Sequence, residues 1–169
     1  MTVSSEGQDE GYTAYVTARL GWLHKVAVLL CQDPQRADDL VQTALTRLYV
    51  HWRKASAADN LDGYTRTILV RVFLAEQRTT WWQRIVPVRD LPESPAPAVD
   101  PAAALDLRAA LALLGPRQRA VVVLRYYSDL SIEQTAEILG CSPGTVKSQA
   151  ARALATLRST LIREREVRP

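Results

Sequence analysis

The chain has 169 residues, a formal net charge of +3 at pH 7, 47% hydrophobic residues and only seven glycines. That length suits one domain or two small ones that each bury a modest core. The scarcity of glycine beside abundant Ala, Leu, Val and Arg favours helices over a sandwich or barrel of short strands, and an all-α protein is expected.

The opening residues MTVSSEGQDEGY lack a basic stretch followed by an apolar one, so they do not read as a signal peptide. The apolar runs are too short to span a bilayer, and a cytoplasmic protein without membrane contact is expected. The first helix falls in YTAYVTARLGWLHKVAVLL, which is apolar at helical spacing, and Asp33-Pro34 breaks it. A second helix is expected from about Pro34 to Arg53. Ala37, Leu40, Val41, Ala44, Leu45 and Leu48 form its core stripe, and Asp38, Asp39, Gln42, Thr43 and Arg47 face outward. A polar loop, KASAADNLD, precedes a third helix that opens near Asp62 as N-cap. That helix carries Ile68, Leu69, Val72 and Phe73 together with Arg66, Arg71 and Arg78, and closes into Trp81-Trp82.

Residues 85–104 read IVPVRDLPESPAPAVDPAAA, with prolines at 87, 92, 95, 97 and 101. Such density forbids a regular helix and favours extended, polyproline-like backbone. Two small helical domains, 1–85 and 105–169, are therefore expected on either side of a flexible acidic Pro-rich linker, 86–104. Beyond it lie a helix from about Pro101 to Leu114 and, restarted by Gly115-Pro116, another over Arg117 to Tyr127.

Charge follows the same division. Residues 1–62 hold 6 basic and 8 acidic residues, 63–89 hold 5 and 1, 90–104 hold none and 3, and 105–169 hold 10 and 6. Two positive segments flanking an acidic spacer suit a polyanion held at two places, or else two solvated helix faces. Cys31 and Cys141 lie far apart without C-x-x-C spacing and read as small packing residues. His24 and His51, outside any metal-ligand spacing, read as structural. No metal, cofactor or catalytic constellation is expected.

Ser131 to Arg158, SIEQTAEILGCSPGTVKSQAARALATLR, carries the most specific pattern. Ser131 with Gln134 is a capping box, Gly140 supplies a left-handed stop, and Ser142-Pro143 restarts the chain as N-cap and first helical residue. On the second helix Val146, Ala150, Ala153, Leu154 and Leu157 share one face. At about 100° per residue the opposite side presents Gly144, Ser148, Ala151 and Arg152, flanked by Lys147 and Gln149. A slim, basic helix after a tight turn fits the major groove, and a helix-turn-helix is expected.

The stretch GPRQRAVVVLRYYSDLSIEQTAEILGCSPGTVKSQAARALATLR resembles region 4 of the bacterial sigma-70 family. RADDLVQTALTRLY is similar to region 2.2, and the basic helix YTRTILVRVFLAEQR stands where regions 2.3 and 2.4 belong. Pairing these two regions without further domains resembles the extracytoplasmic-function (ECF) group. Trp-Trp after the basic helix and the wording LGPRQRAVVVLRYY resemble its actinobacterial SigE-like branch.

That resemblance implies a non-catalytic initiation factor that binds core RNA polymerase, recognises minus-10 and minus-35 promoter elements and helps melt the duplex. It implies that Asp39, Leu40, Gln42 and Thr43 dock on the clamp coiled coil of the largest polymerase subunit, with region 4 on the β flap. Thr43 stands where the family often has an acidic residue, which implies a weaker contact there; Asp38-Asp39 also reads as dipole stabilisation of a helix first turn. The loop Ala55–Asp62 corresponds to the segment that captures an unstacked minus-10 base, with Ala58, Asp59 and Asn60 as candidates. Arg66, Arg71 and Arg78 would contact phosphate nearby. Trp81 and Trp82 either stack on bases or pack the helix. Lys147, Ser148, Gln149 and Arg152 would face the minus-35 element, Gln149 replacing a common Arg with an amide able to pair with adenine. The linker either threads toward the polymerase cleft as a nucleic-acid mimic or serves as a tether. Anti-sigma proteins are a further class of partner in this group, and no residue here identifies one. The rival reading, a dimeric helix-turn-helix regulator that never enters polymerase, leaves the first block without a role.

Overall fold

The computed structural model describes residues 5–85 and 102–167, all of whose regular elements are helical. The chain divides into two compact units, Met1–Phe73 and Leu74–Pro169. Most of the proposed linker, residues 86–101, lies outside the described residues, as does the expected helix start at Pro101.

In the first unit α1 (Ser5–Cys31) ends at Gln32, whose backbone enters the left-handed region at φ 59°. Its side-chain amide donates to the Leu29 carbonyl at 2.7 Å, closing one of the helix's open C-terminal groups. Asp33 then caps α2 (Pro34–Val50), its carboxylate accepting from the amides of Gln35 at 2.9 Å and Arg36 at 3.4 Å. The expected stripe forms: Ala37, Leu40, Val41, Ala44 and Leu48 are buried, as are Leu23, Val26, Ala27 and Leu30 of α1. Leu45 is half-buried, against an aromatic cluster.

Two expectations for this unit need correction. The second helix does not run to Arg53. At His51 (φ −105°, ψ 15°) the chain bends, its amide shared between the Arg47 and Leu48 carbonyls, and a short α3 (Trp52–Ser56) follows. The bend carries Trp52 into the cluster, where its ring meets Tyr12 edge-on at 5.4 Å and Tyr15 at 5.8 Å. Burying Trp52 and Ala55 turns the first three residues of the expected polar loop into helix, and α4 takes its last two, so the loop shrinks to residues 57–60. The N-cap of α4 (Leu61–Ile85) is also Asn60 rather than Asp62. Asn60 Oδ1 accepts from the Gly63 amide at 2.8 Å, and the Asn60 carbonyl accepts from Tyr64 at 3.0 Å. On α4, Leu69, Val70, Val72 and Phe73 are buried.

In the second unit α5 (Ala102–Ala112) buries Ala110 and Leu111, and Gly115 leads into α6 (Pro116–Val122). The helix expected through Tyr127 changes pitch: Val123–Tyr127 forms a π turn, and Ser128 donates to the Val123 carbonyl at 2.9 Å. This wider turn keeps Val123 and Leu124 in the core while Tyr126 and Tyr127 stay exposed. The Arg125 guanidinium donates to the Leu130 carbonyl across the turn. Then come α7 (Ile132–Leu139) and α8 (Pro143–Val167).

Candidate nucleic-acid interface

The turn between α7 and α8 is built from local chemistry. Ser131 Oγ accepts from the Gln134 amide at 3.0 Å while Gln134 Oε1 accepts from the Ser131 amide at 2.9 Å, completing the capping box. Gly140 takes φ 63°, ψ 41°, a conformation costly for a residue with a Cβ. The Cys141 amide reaches back to the Ala136 carbonyl at 3.1 Å and the Gly140 amide to Glu137 at 3.3 Å, a Schellman closure. Ser142 Oγ then accepts from the Thr145 amide at 3.1 Å and starts α8.

Val146 and Ala153 seat α8 with no solvent exposure, and Ala150, Leu154 and Leu157 are half-buried beside them. Gly144, Lys147, Ser148, Ala151 and Arg152 are exposed on the other side, and Gln149 is half-buried at its margin. The Ser148 hydroxyl donates to the Thr145 carbonyl at 3.0 Å, so toward a ligand it offers lone pairs. The face is therefore narrow and small, with the cationic side chains of Lys147 and Arg152 on either side of Ser148 and Ala151, as suits major-groove entry.

Part of the basic excess in this unit serves the fold. Arg117 donates to the Leu139 carbonyl at 3.1 Å, and Arg119 donates to the Leu111 and Leu114 carbonyls, each at 2.9 Å. Both supply donors to carbonyls at helix ends, where the regular backbone donors run out. Charge counting misses this, because it weighs Arg117 and Arg119 equally with Arg152.

In the first unit Asp39 and Gln42 are exposed on α2 and Thr43 is half-buried. Leu40, grouped with them from the sequence, is fully buried and presents no surface to a partner. Asp38 pairs with His24 Nε2 at 2.9 Å. The dipole reading of Asp38-Asp39 fails, because the first turn of α2 contains no acidic residue and Asp33 does the capping.

In the four-residue loop Ala58 is half-buried while Asp59 and Asn60 are exposed. A Cβ on Gly63 would approach Asn60 Nδ2 to 2.7 Å and Cγ to 2.9 Å, so the glycine makes room for this cap. Asn60 Oδ1 is thereby committed to the helix, and its amide nitrogen remains as a donor. Asp62 serves α1 instead: Arg19 Nη2 lies 2.9 Å from Oδ2, Arg19 Nε donates to Oδ1 at 3.0 Å, and the Tyr15 hydroxyl donates to Oδ1 at 3.0 Å. Burial first, then the adjacent carboxylate, pushes the Tyr15 phenol up to about 12. Arg71 and Arg78 are exposed along α4, and Arg66 is half-buried with its guanidinium 5.2 Å from the Trp22 ring centre. Trp81 and Trp82 fall in α4, with side chains outside the described residues. Among the described residues no group of three or more His, Cys, Asp or Glu is placed to hold a metal ion. No described helix is long and apolar enough to cross a membrane.

Residues 15–83 match the family description Sigma-70 region 2, and residues 104–157 match Sigma-70, region 4. The chain is similar to the RNA polymerase sigma-E factor of Streptomyces coelicolor, 40% identical over 160 residues, which cover 89% of this chain and 86% of that one. It is also similar to the ECF RNA polymerase sigma factor SigL of Mycobacterium tuberculosis, 33% identical over 146 residues covering 82% of each. Among solved structures, the sigma factor RpoE of Bartonella quintana, crystallised with the anti-sigma factor NepR, superposes with a TM-score of 0.71. The two are 26% identical, with 95% of this chain and 99% of that one covered. With both regions present in order and relatives of this identity along most of its length, the chain belongs to the sigma-70 family of RNA polymerase sigma factors, in its extracytoplasmic-function group.

Proposed function

We propose that this chain, as an alternative sigma factor directing promoter-specific initiation, divides the work between residues 1–85 and 105–169. Residues 86–104 serve as the acidic tether. The observation that carries this reading is the occurrence, in order, of a region 2 unit and of a region 4 unit whose α8 presents Lys147, Ser148 and Arg152 to solvent. Asp39, Gln42 and Thr43 dock on the clamp coiled coil of the largest polymerase subunit, and Leu40 seats the helix from beneath. Ala58 and Asp59 line the pocket for an extruded minus-10 base. Asn60 holds that loop and offers its amide nitrogen. Arg66, Arg71 and Arg78 contact phosphate, which gives affinity and register without sequence information.

At the minus-35 element Lys147, Ser148 and Arg152 face the groove, and Gln149 reaches a base edge from the margin of the face. The β flap supports region 4. The factor is non-catalytic and acts in the cytoplasm. An anti-sigma protein is a further partner, by likeness to the RpoE that was crystallised with NepR.

Run-off transcription with core polymerase tests this reading. Promoter-dependent transcripts should require the chain, and DNA binding with no affinity for core enzyme would sink the assignment. In the same assay Arg152→Ala should reduce use of minus-35-dependent promoters by about 10- to 100-fold, the scale of one lost bidentate base contact. Affinity for core polymerase should stay at the wild-type level, because Arg152 lies exposed on α8 and seats no other helix.

A further inference from the structure

Tyr15, Arg19 and Trp22 recur along α1 at helical spacing and meet Asp62, Thr65 and Arg66 of α4. Arg19 grips both oxygens of Asp62, and Tyr15 takes a third bond, so the carboxylate of this row is directed toward α1. Arg66, one turn along α4, is left without an ion-pair partner among the described residues. Its Nε is sealed from solvent without a hydrogen-bond partner, and its guanidinium rests over the Trp22 ring at 5.2 Å.

Withdrawing part of a cation from water without an anion in contact has a cost, and an aromatic face offsets some of it. Burial accordingly lowers the Arg66 pKa, while the more distant Asp62 raises it. A guanidinium held over a ring has lost part of its freedom in advance, which favours a fixed anionic ligand.

We propose that Trp22 is a positioning residue for DNA binding: its indole holds Arg66 where one backbone phosphate of the minus-10 region accepts from the terminal Nη groups of the guanidinium, the buried Nε staying against the fold. The proposal rests on the reading that α4 lies against promoter DNA. It adds an α1 residue that carries neither charge nor a place in any DNA-reading motif.

The test uses holoenzyme formed from core polymerase and the full chain, with promoter affinity measured between about 50 and 200 mM salt. Arg66→Gln and Trp22→Leu should each flatten the plot of log affinity against log salt by about 0.7 to 0.9, the loss of one phosphate contact. Their defects should therefore shrink roughly threefold across that range. The double variant should flatten it no further, since both changes remove one interaction. Trp22→Phe, which keeps a ring under the guanidinium, should regain the wild-type slope.

A Trp22→Leu holoenzyme with weakened binding but the wild-type slope would overturn the proposal, as would single defects that add. Should Trp22→Leu lose core binding, Trp22→Tyr and Arg66→Gln carry the test, and an unchanged slope in Arg66→Gln overturns it. A wild-type holoenzyme that binds no promoter defeats the sigma-factor reading itself, which separates the two failures.

Discussion

Leu40→Ala is expected to destabilise the first unit by about 2–5 kcal/mol, the cost of truncating a fully buried leucine. Leu40 has no solvent exposure and sits in the stripe by which α2 faces Leu23, Val26, Ala27 and Leu30 of α1. Those two helices form the main packing of the unit, so a cavity there has few other contacts to redistribute it. Set against the roughly 5–15 kcal/mol that holds a typical domain, the loss is large. The melting temperature of the first unit should fall by roughly 10 °C or more. Core-polymerase binding should fall with it, and should return on cooling below the transition. Loss of core binding at an unchanged melting temperature would instead make Leu40 a direct contact.

The paired change Asp39→Ala and Gln42→Ala should have the opposite signature. Both side chains are exposed on α2, outside the core stripe. Their removal leaves no cavity, and surface substitutions of this kind shift stability by about 0.5 kcal/mol or less. Their proposed partner is a basic, hydrogen-bonding surface, so their loss should weaken core binding by about 2 kcal/mol, roughly thirtyfold. Titration of labelled core polymerase, beside a thermal melt of the same variant, measures both quantities. DNA contacts made by Lys147 and Arg152 should be untouched, because they lie on α8 in the other unit. A destabilised double variant would mean that these residues hold the fold, and the proposed docking face would be lost.

Features that depend on residues three or four apart were legible before any coordinates. The capping box of Ser131 and Gln134, the left-handed Gly140 and the cap at Ser142 are closed by bonds within one turn, so residue type and spacing specify them. The core stripe of α2 was legible for the same reason, since 3.6-residue periodicity is local.

Features that depend on distant partners were not. Nothing near His51 announces that the helix bends there; the cause is Trp52 packing on Tyr12 and Tyr15, some 40 residues earlier in the chain. Asp62 is as good a cap by type as Asn60, and it is withdrawn by Arg19 and Tyr15, 43 and 47 residues away. Arg117 counts toward the basic excess of residues 105–169 until its bond to Leu139, 22 residues on, is seen. Leu40 illustrates a different failure: it matched both the core stripe and the docking motif, and only its burial separates the two.

On the proposed function each unit makes a small, weak promoter contact, and polymerase makes both effective by fixing their separation. Linking two contacts at a set distance multiplies affinity without adding any interaction. The direct measurement is the affinity of the full chain for a promoter fragment bearing both elements, with and without saturating core polymerase, at one salt concentration. A gain of about 100-fold or more on adding core is predicted. It should disappear when several base pairs are inserted between the elements. Equal affinity with and without core polymerase, or indifference to the inserted spacing, would contradict the account.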